Sequence, residues 1–75
     1  MNNIIEKEYL ENDLPDYLQH SISQLIEGRK KVNAGESYYQ LDLDWAELNA
    51  DIGTACYYEE ITENQAAYLR EKYLM

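Results

Sequence analysis

The sequence predicts an all-α fold, a small three-helix bundle with a short N-terminal helix or arm. Apolar residues recur at three- and four-residue steps in three separate stretches, each long enough for a helix. Pro15 and Asn33-Ala34-Gly35 punctuate the chain strongly, and only a few residues separate the second stretch from the start signal at Thr62. The period-two run Tyr39-Gln40-Leu41-Asp42-Leu43 fits a short extended segment, but one isolated strand has no obvious partner. At 75 residues the chain makes one domain with a marginal core.

The N-terminal residues 3–12 place Ile5 and Tyr9 on one face of a short helix that ends before Pro15. The first long helix is expected over 14–33. Asn12 or Asp13 is the candidate cap, and Pro15 suits a first turn, where its missing N–H would be unbonded anyway. Leu14, Leu18, Ile22, Leu25 and Ile26 form its stripe, and Gly35 offers the positive φ of a helix stop. A second helix is expected over 44–58, opened by a capping-box-like pair, Asp44 and Glu47. Trp45, Leu48, Ile52, Ala55 and Cys56 lie on one side of it, and Ala46, Ala50, Gly53 and Tyr57 on another. An interior glycine costs roughly 1 kcal/mol of helix propensity, so Gly53 asks for a packing reason. Thr62 and Gln65 make a Thr-x-x-Gln capping box for a third helix over 62–74, with Ile61 stapling onto Ala66. The predicted core is Leu14, Leu18, Ile22, Leu25, Ile26, Trp45, Leu48, Ile52, Cys56, Ala66, Leu69 and Tyr73.

Charge is concentrated. The formal net charge is -9, and the stretch from Glu36 to Ile61 holds seven carboxylates with no lysine or arginine. That balance repels nucleic acid, whose binding rests on cations neutralising phosphates, so direct nucleic-acid binding is not expected. The basic run Arg29-Lys30-Lys31 falls at a helix C-terminus, where cations complement the dipole and the last carbonyls. Phenylalanine is absent and tyrosine occurs eight times, so most rings carry a hydroxyl suited to a core rim or a contact surface. A single cysteine forms no internal disulfide. Charges interrupt every apolar stretch of the N-terminus, so neither a signal peptide nor a membrane span is expected, and the reading is cytoplasmic.

Candidate chemistry is thin. Asp42-x-Asp44-x-x-Glu47 has the acids of a calcium loop, but Leu43, Trp45 and Leu48 interleave and Gly53 stands where the last ligand would be. His20 has Asp16 four residues earlier but no nucleophile, and Ser21 and Ser23 have no base and orienter at readable spacing. Cys56 sits on an apolar face, where a thiol behaves as a small hydrophobe. Phosphate loops, dinucleotide fingerprints and zinc patterns are missing. No catalytic residue, cofactor or metal is predicted.

The run Asp44-Trp45-Ala46-Glu47-Leu48-Asn49-Ala50-Asp51-Ile52, followed by Ile61 to Leu74, resembles small acidic proteins of bacterial mobile elements and phages. The resemblance covers residues 41–75 and implies an accessory role in a bacterial cytoplasm. No activity attaches to that group. The residues themselves predict a non-enzymatic protein-interaction module that presents an acidic, tyrosine-bearing surface to a basic protein partner. Glu47, Asp51, Glu59, Glu60, Tyr38, Tyr39, Tyr57 and Tyr58 are its candidates. The small-residue side of the second helix also offers a surface for a second copy of the chain. The alternative is an inhibitor that mimics nucleic acid on a basic, nuclease-type target, with Asp44, Glu47 and Asp51 as a row of phosphate substitutes.

Overall fold

The computed structural model describes residues 8–75, so Ile5 and the start of the predicted N-terminal helix lie outside the described residues. A 3-10 turn (Glu8–Glu11) precedes three α-helices: α1 (Asp16–Asn33), α2 (Leu41–Tyr57) and α3 (Glu63–Tyr73). No strand occurs among the described residues. The architecture is the predicted helical bundle. α2 is central, packing most extensively on α1 and also on α3, while the 3-10 turn rests on α3.

α1 starts later than expected and without a side-chain cap. Asp13 is left-handed (φ 60°), so neither Asn12 nor Asp13 reaches the helix end; instead Pro15 precedes the first turn, and its carbonyl accepts from Leu18 and Gln19. Gly35 performs as predicted. With φ 81° it turns the chain so that Gly35 N–H donates to Val32 and Glu36 N–H to Lys31, the paired bonds of a Schellman stop.

α2 begins three residues before Asp44, so Asp44 is not its cap. The Asp44 N–H donates to the Gln40 carbonyl, and its side chain is buried in the seam with α1. The alternating residues Leu41-Asp42-Leu43 are helical because Leu41 and Asp44 share the side that packs on α1 and the core. α2 also ends in a Schellman stop, with Glu60 N–H donating to Ala55 and Glu59 N–H to Cys56. Here the left-handed position is Glu59 (φ 61°), which bears the Cβ penalty that glycine avoids. Glu59→Gly is therefore expected to raise stability by about 0.5–1 kcal/mol, with Glu59→Gln as the control that removes charge alone. A urea midpoint for the glycine variant at or below that of the glutamine variant would contradict the backbone argument.

α3 opens as the sequence predicts. Thr62 Oγ1 accepts from Gln65 N–H at 3.0 Å, and Thr62 N–H donates to Gln65 Oε1 at 2.8 Å. Gln65 Nε2 then donates to the Leu10 carbonyl at 3.1 Å, tying the cap to the N-terminal turn. At the other end, Arg29 reaches across from α1 and donates to the Tyr73 carbonyl. The predicted carbonyl-capping role thus falls on a neighbouring helix rather than on α1 itself.

The core joins Leu14, Leu18, Ile22 and Leu25 to Leu48, Ile52, Ala55, Ile61, Ala66, Leu69 and Tyr73. Ile26 and Cys56 are half-buried against it. Trp45 is the clear correction. It remains 41% exposed, lying at the border of the buried side, with its Nε1–H donating to the Leu74 carbonyl at 3.3 Å. An indole N–H sent into the core would need a partner there, and the end of α3 supplies one at the rim instead.

A carboxylate adds to the hold of Gln65 on the N-terminal turn. Glu11 accepts from the Tyr73 hydroxyl at 2.7 Å, the Tyr68 hydroxyl at 2.8 Å and the Lys72 ammonium. Partial burial pushes its pKa up, but the Lys72, Tyr73 and Tyr68 donors outweigh that and leave it below the usual glutamate value. A lowered folded pKa means that the unfolded chain takes the proton more readily. The stabilisation from Glu11 is complete above the unfolded value of 4.5 and is lost as pH falls through the lower folded value. Thermal melts from neutral to acid pH should show a wild-type advantage over Glu11→Gln that shrinks below that pH. An advantage independent of pH would mean that the amide serves the three donors as well as the carboxylate.

Candidate functional site

The acids and tyrosines singled out by the sequence fall into separate groups along α2. Tyr57, Tyr58, Glu59 and Glu60 are contiguous at the tip of the α2–α3 hairpin, where all four are exposed. Tyr57 and Tyr58 pack edge to face, their ring centres 5.1 Å apart at 86°. Tyr38 and Tyr39 precede α2. The 17-residue helix puts its two ends about 25 Å apart, so these two tyrosines do not join the tip. Glu47 and Asp51 lie between, one turn apart on one edge of α2.

Several members are tethered by partners that no local pattern announces. Glu60 accepts from the Tyr17 hydroxyl of α1. Asp51 is half-buried and accepts from Ser21, whose hydroxyl also lies 3.1 Å from the Tyr17 carbonyl. Tyr17 and Ser21 are one turn apart on α1, so this helix edge holds two of the candidate acids in place. The hydrogen bond to Glu60, then burial, then the charges of Glu60 and Asp51 push the Tyr17 phenol up to about 12. Tyr17 therefore stays a neutral donor through the neutral range.

Tyr38 is half-buried and donates to Asp44, and its ring lies 5.0 Å from the Lys31 ammonium. The hydrogen bond to Asp44, then burial, then the Asp44 charge raise its pKa. Its ring edge also lies over Gly28 of α1, so the side chain closes the α1–α2 seam. Tyr39, by contrast, is 89% exposed. The three acids Asp42, Asp44 and Glu47 do not converge: Asp44 is buried beside Tyr38, while Asp42 and Glu47 are exposed on opposite flanks of α2.

The cations lie elsewhere. Among the described residues, Lys30 pairs with Glu27 at 3.4 Å and Lys72 with Glu11. Arg29 is spent on the end of α3, and Arg70 donates to Asn49 Oδ1 at 3.3 Å. None of them forms an ion pair with Glu47, Asp51, Glu59 or Glu60. The α2 edge and the hairpin tip thus carry carboxylates without a cationic counterpart among the described residues, next to two exposed rings. Such a surface can draw in and dock a basic group. Sequence reasoning gave Tyr17 no role and weighed Ser21 only as a nucleophile; their helical spacing, one turn apart, was the available signal.

No helix among the described residues is long and apolar enough to cross a membrane. Set against family models, curated proteins and solved structures, the chain matches none.

Proposed function

We propose that the chain is a non-enzymatic protein-interaction module that docks a basic protein partner on the hairpin tip and the adjoining edge of α2. One observation carries this reading: Glu47, Asp51, Glu59 and Glu60 have no ion-pair partner among the described residues. Exposed carboxylates speed encounter with a basic partner, and Tyr57 and Tyr58 add contact area with few rotamers to freeze. The lone cysteine and the resemblance to small acidic proteins of bacterial mobile elements and phages support an accessory role in a bacterial cytoplasm.

Nucleic-acid mimicry ranks below this reading. It needs carboxylates in a row, and the row offered by α2 is Asp44, Glu47 and Asp51. Asp44 is buried against Tyr38 and Asp51 is held by Ser21, which leaves Glu47 as its one free member.

Affinity capture from the native host, at low and high salt, tests the proposal. A specific partner should be lost as salt rises. It should also be lost at low salt by the combined variant Tyr58→Ala, Glu59→Gln, Glu60→Gln. A partner retained by that variant at every salt concentration would sink the assignment of the tip.

A further inference from the structure

The outward side of α2 is built unlike that of its neighbours. At about 100° per residue, Leu43, Ala46, Ala50, Thr54 and Tyr57 fall within one quarter of the helix circumference, opposite Leu48 and Ile52. Leu43 is 67% exposed and Tyr57 79%, and Ala46, Ala50 and Thr54 are exposed as well. The sector carries no charge over about four turns. A surface helix ordinarily turns its polar residues away from the core; one that is apolar on both sides is suited to be covered on both. The exposed side of α1 is polar by comparison, with His20, Ser23, Gln24, Glu27 and Lys31.

The order of sizes along this face says what covers it. Ala50 stands in the middle, with small residues on either side and a large residue at each end. If a second α2 is laid antiparallel with Ala50 on the two-fold axis, Leu43 comes opposite the second copy's Tyr57. Ala46 comes opposite its Thr54, and Ala50 opposite its Ala50. The match is isologous, the arrangement of most homodimers, and the small centre lets the two backbones approach closely. A basic helix from another protein would call for carboxylates within the contact, whereas Asp42 and Glu47 stand only at its borders.

One border supplies charge complementarity. The Arg70 guanidinium lies beside Gly53, on the same edge of α2 as Asp42. In the antiparallel pair Gly53 comes opposite Glu47, about one and a half turns from the second copy's Asp42, within reach of a long arginine side chain. The two-fold axis places Arg70 and Asp42 in two equivalent pairs. On the other border the two copies of Glu47 and Asp51 lie along the same side, where they repel each other.

We infer that this face of α2 pairs with a second copy of the chain, antiparallel about Ala50, with Arg70 of each copy set toward Asp42 of the other. The pairing goes beyond the basic-partner reading and does not depend on it: Tyr57 is shared by the two surfaces, but Tyr58, Glu59 and Glu60 lie outside this sector and stay free for such a partner. It would align the acidic edges of two chains into one longer band.

Sedimentation from micromolar to near-millimolar protein tests it. The wild type should move from monomer to dimer, and more readily at high salt, because the Glu47–Asp51 border is repulsive. Ala50→Glu should remain monomeric at every concentration and melt at the temperature of dilute, monomeric wild type, since its side chain is exposed there. In a Cys56→Ser background, Ala50→Cys should form an intermolecular disulfide about tenfold or more faster than Ser23→Cys on the outside of α1. Asp42→Arg should weaken dimerisation and Asp42→Arg with Arg70→Asp should restore it. A wild type that stays monomeric, a dimer that survives Ala50→Glu, or equal crosslinking at the two cysteines would overturn the inference.

Discussion

Leu48→Ala is expected to cost about 2–5 kcal/mol, the largest effect of any single truncation considered for this chain. Leu48 is fully buried midway along α2, the helix that touches both of the others. Truncation leaves a cavity that neither side can readily collapse, because Leu18, Leu25, Ile52 and Leu69 around the core are themselves fully buried. A 75-residue domain has a total stability on the order of 4–11 kcal/mol, so this variant approaches the limit of folding at 25 °C. Urea unfolding should show a much lower midpoint with an unchanged slope. Trp45→Ala is the informative contrast. Its ring is larger, but it is partly in water already and gives up one long hydrogen bond to the Leu74 carbonyl. The expected loss is about 1–2 kcal/mol. Equal losses for the two variants would return the indole to the core and contradict the packing described above.

That contrast marks where sequence reasoning reached its limit. The leucine stripes, the Thr62–Gln65 box and the Gly35 stop were legible because each is settled within a few residues of chain, at helical or capping spacing. Asp44 misled for the same reason. An acid three residues before a glutamate fits a cap, and the competing use, burial beside Tyr38 and Gly28, depends on chain brought in from α1. Trp45 sits at the correct period for the core but at its border, and period alone does not separate the two.

The candidate surface divides in the same way. The carboxylate-rich, cation-free stretch could be read directly. Its tethers could not, because Ser21 meets Asp51 across 30 residues and Tyr17 meets Glu60 across 43. Those bonds leave Glu47, Glu59, Tyr57 and Tyr58 as the freer part of the surface, while Tyr38 belongs chiefly to the α1–α2 seam.

Gly28→Ala should destabilise the protein by about 1–3 kcal/mol, although alanine is the better helix former. In an open helix the substitution would gain roughly 1 kcal/mol, and that gain has to be overcome. A Cβ on Gly28 would stand 2.7 Å from Tyr38 Cε2, 2.8 Å from Asp44 Oδ2 and 3.1 Å from Leu41 Cδ1. Asp44 and Leu41 belong to α2 and cannot both retreat without moving that helix off α1. Tyr38 can swing outward, but it then gives up its bond to Asp44 and its place beside the Lys31 ammonium, leaving a buried carboxylate without its donor. Gly53 supplies the control. The sequence marked it as the glycine with a packing reason, yet its nearest neighbour to a new Cβ is Arg70 Nη2 at 3.5 Å, an ordinary contact. Gly53→Ala should therefore stabilise by up to about 1 kcal/mol, the opposite sign for the same chemical change. The two effects can be traced further by repeating Gly28→Ala in a Tyr38→Ala background. If the ring is what the new methyl group meets, the penalty should shrink there, and the coupling energy measures how tightly Tyr38 closes the seam. A penalty that is undiminished would assign the clash to Asp44 and Leu41, and a Gly28→Ala protein more stable than wild type would mean that α1 and α2 do not approach as closely as this fold requires.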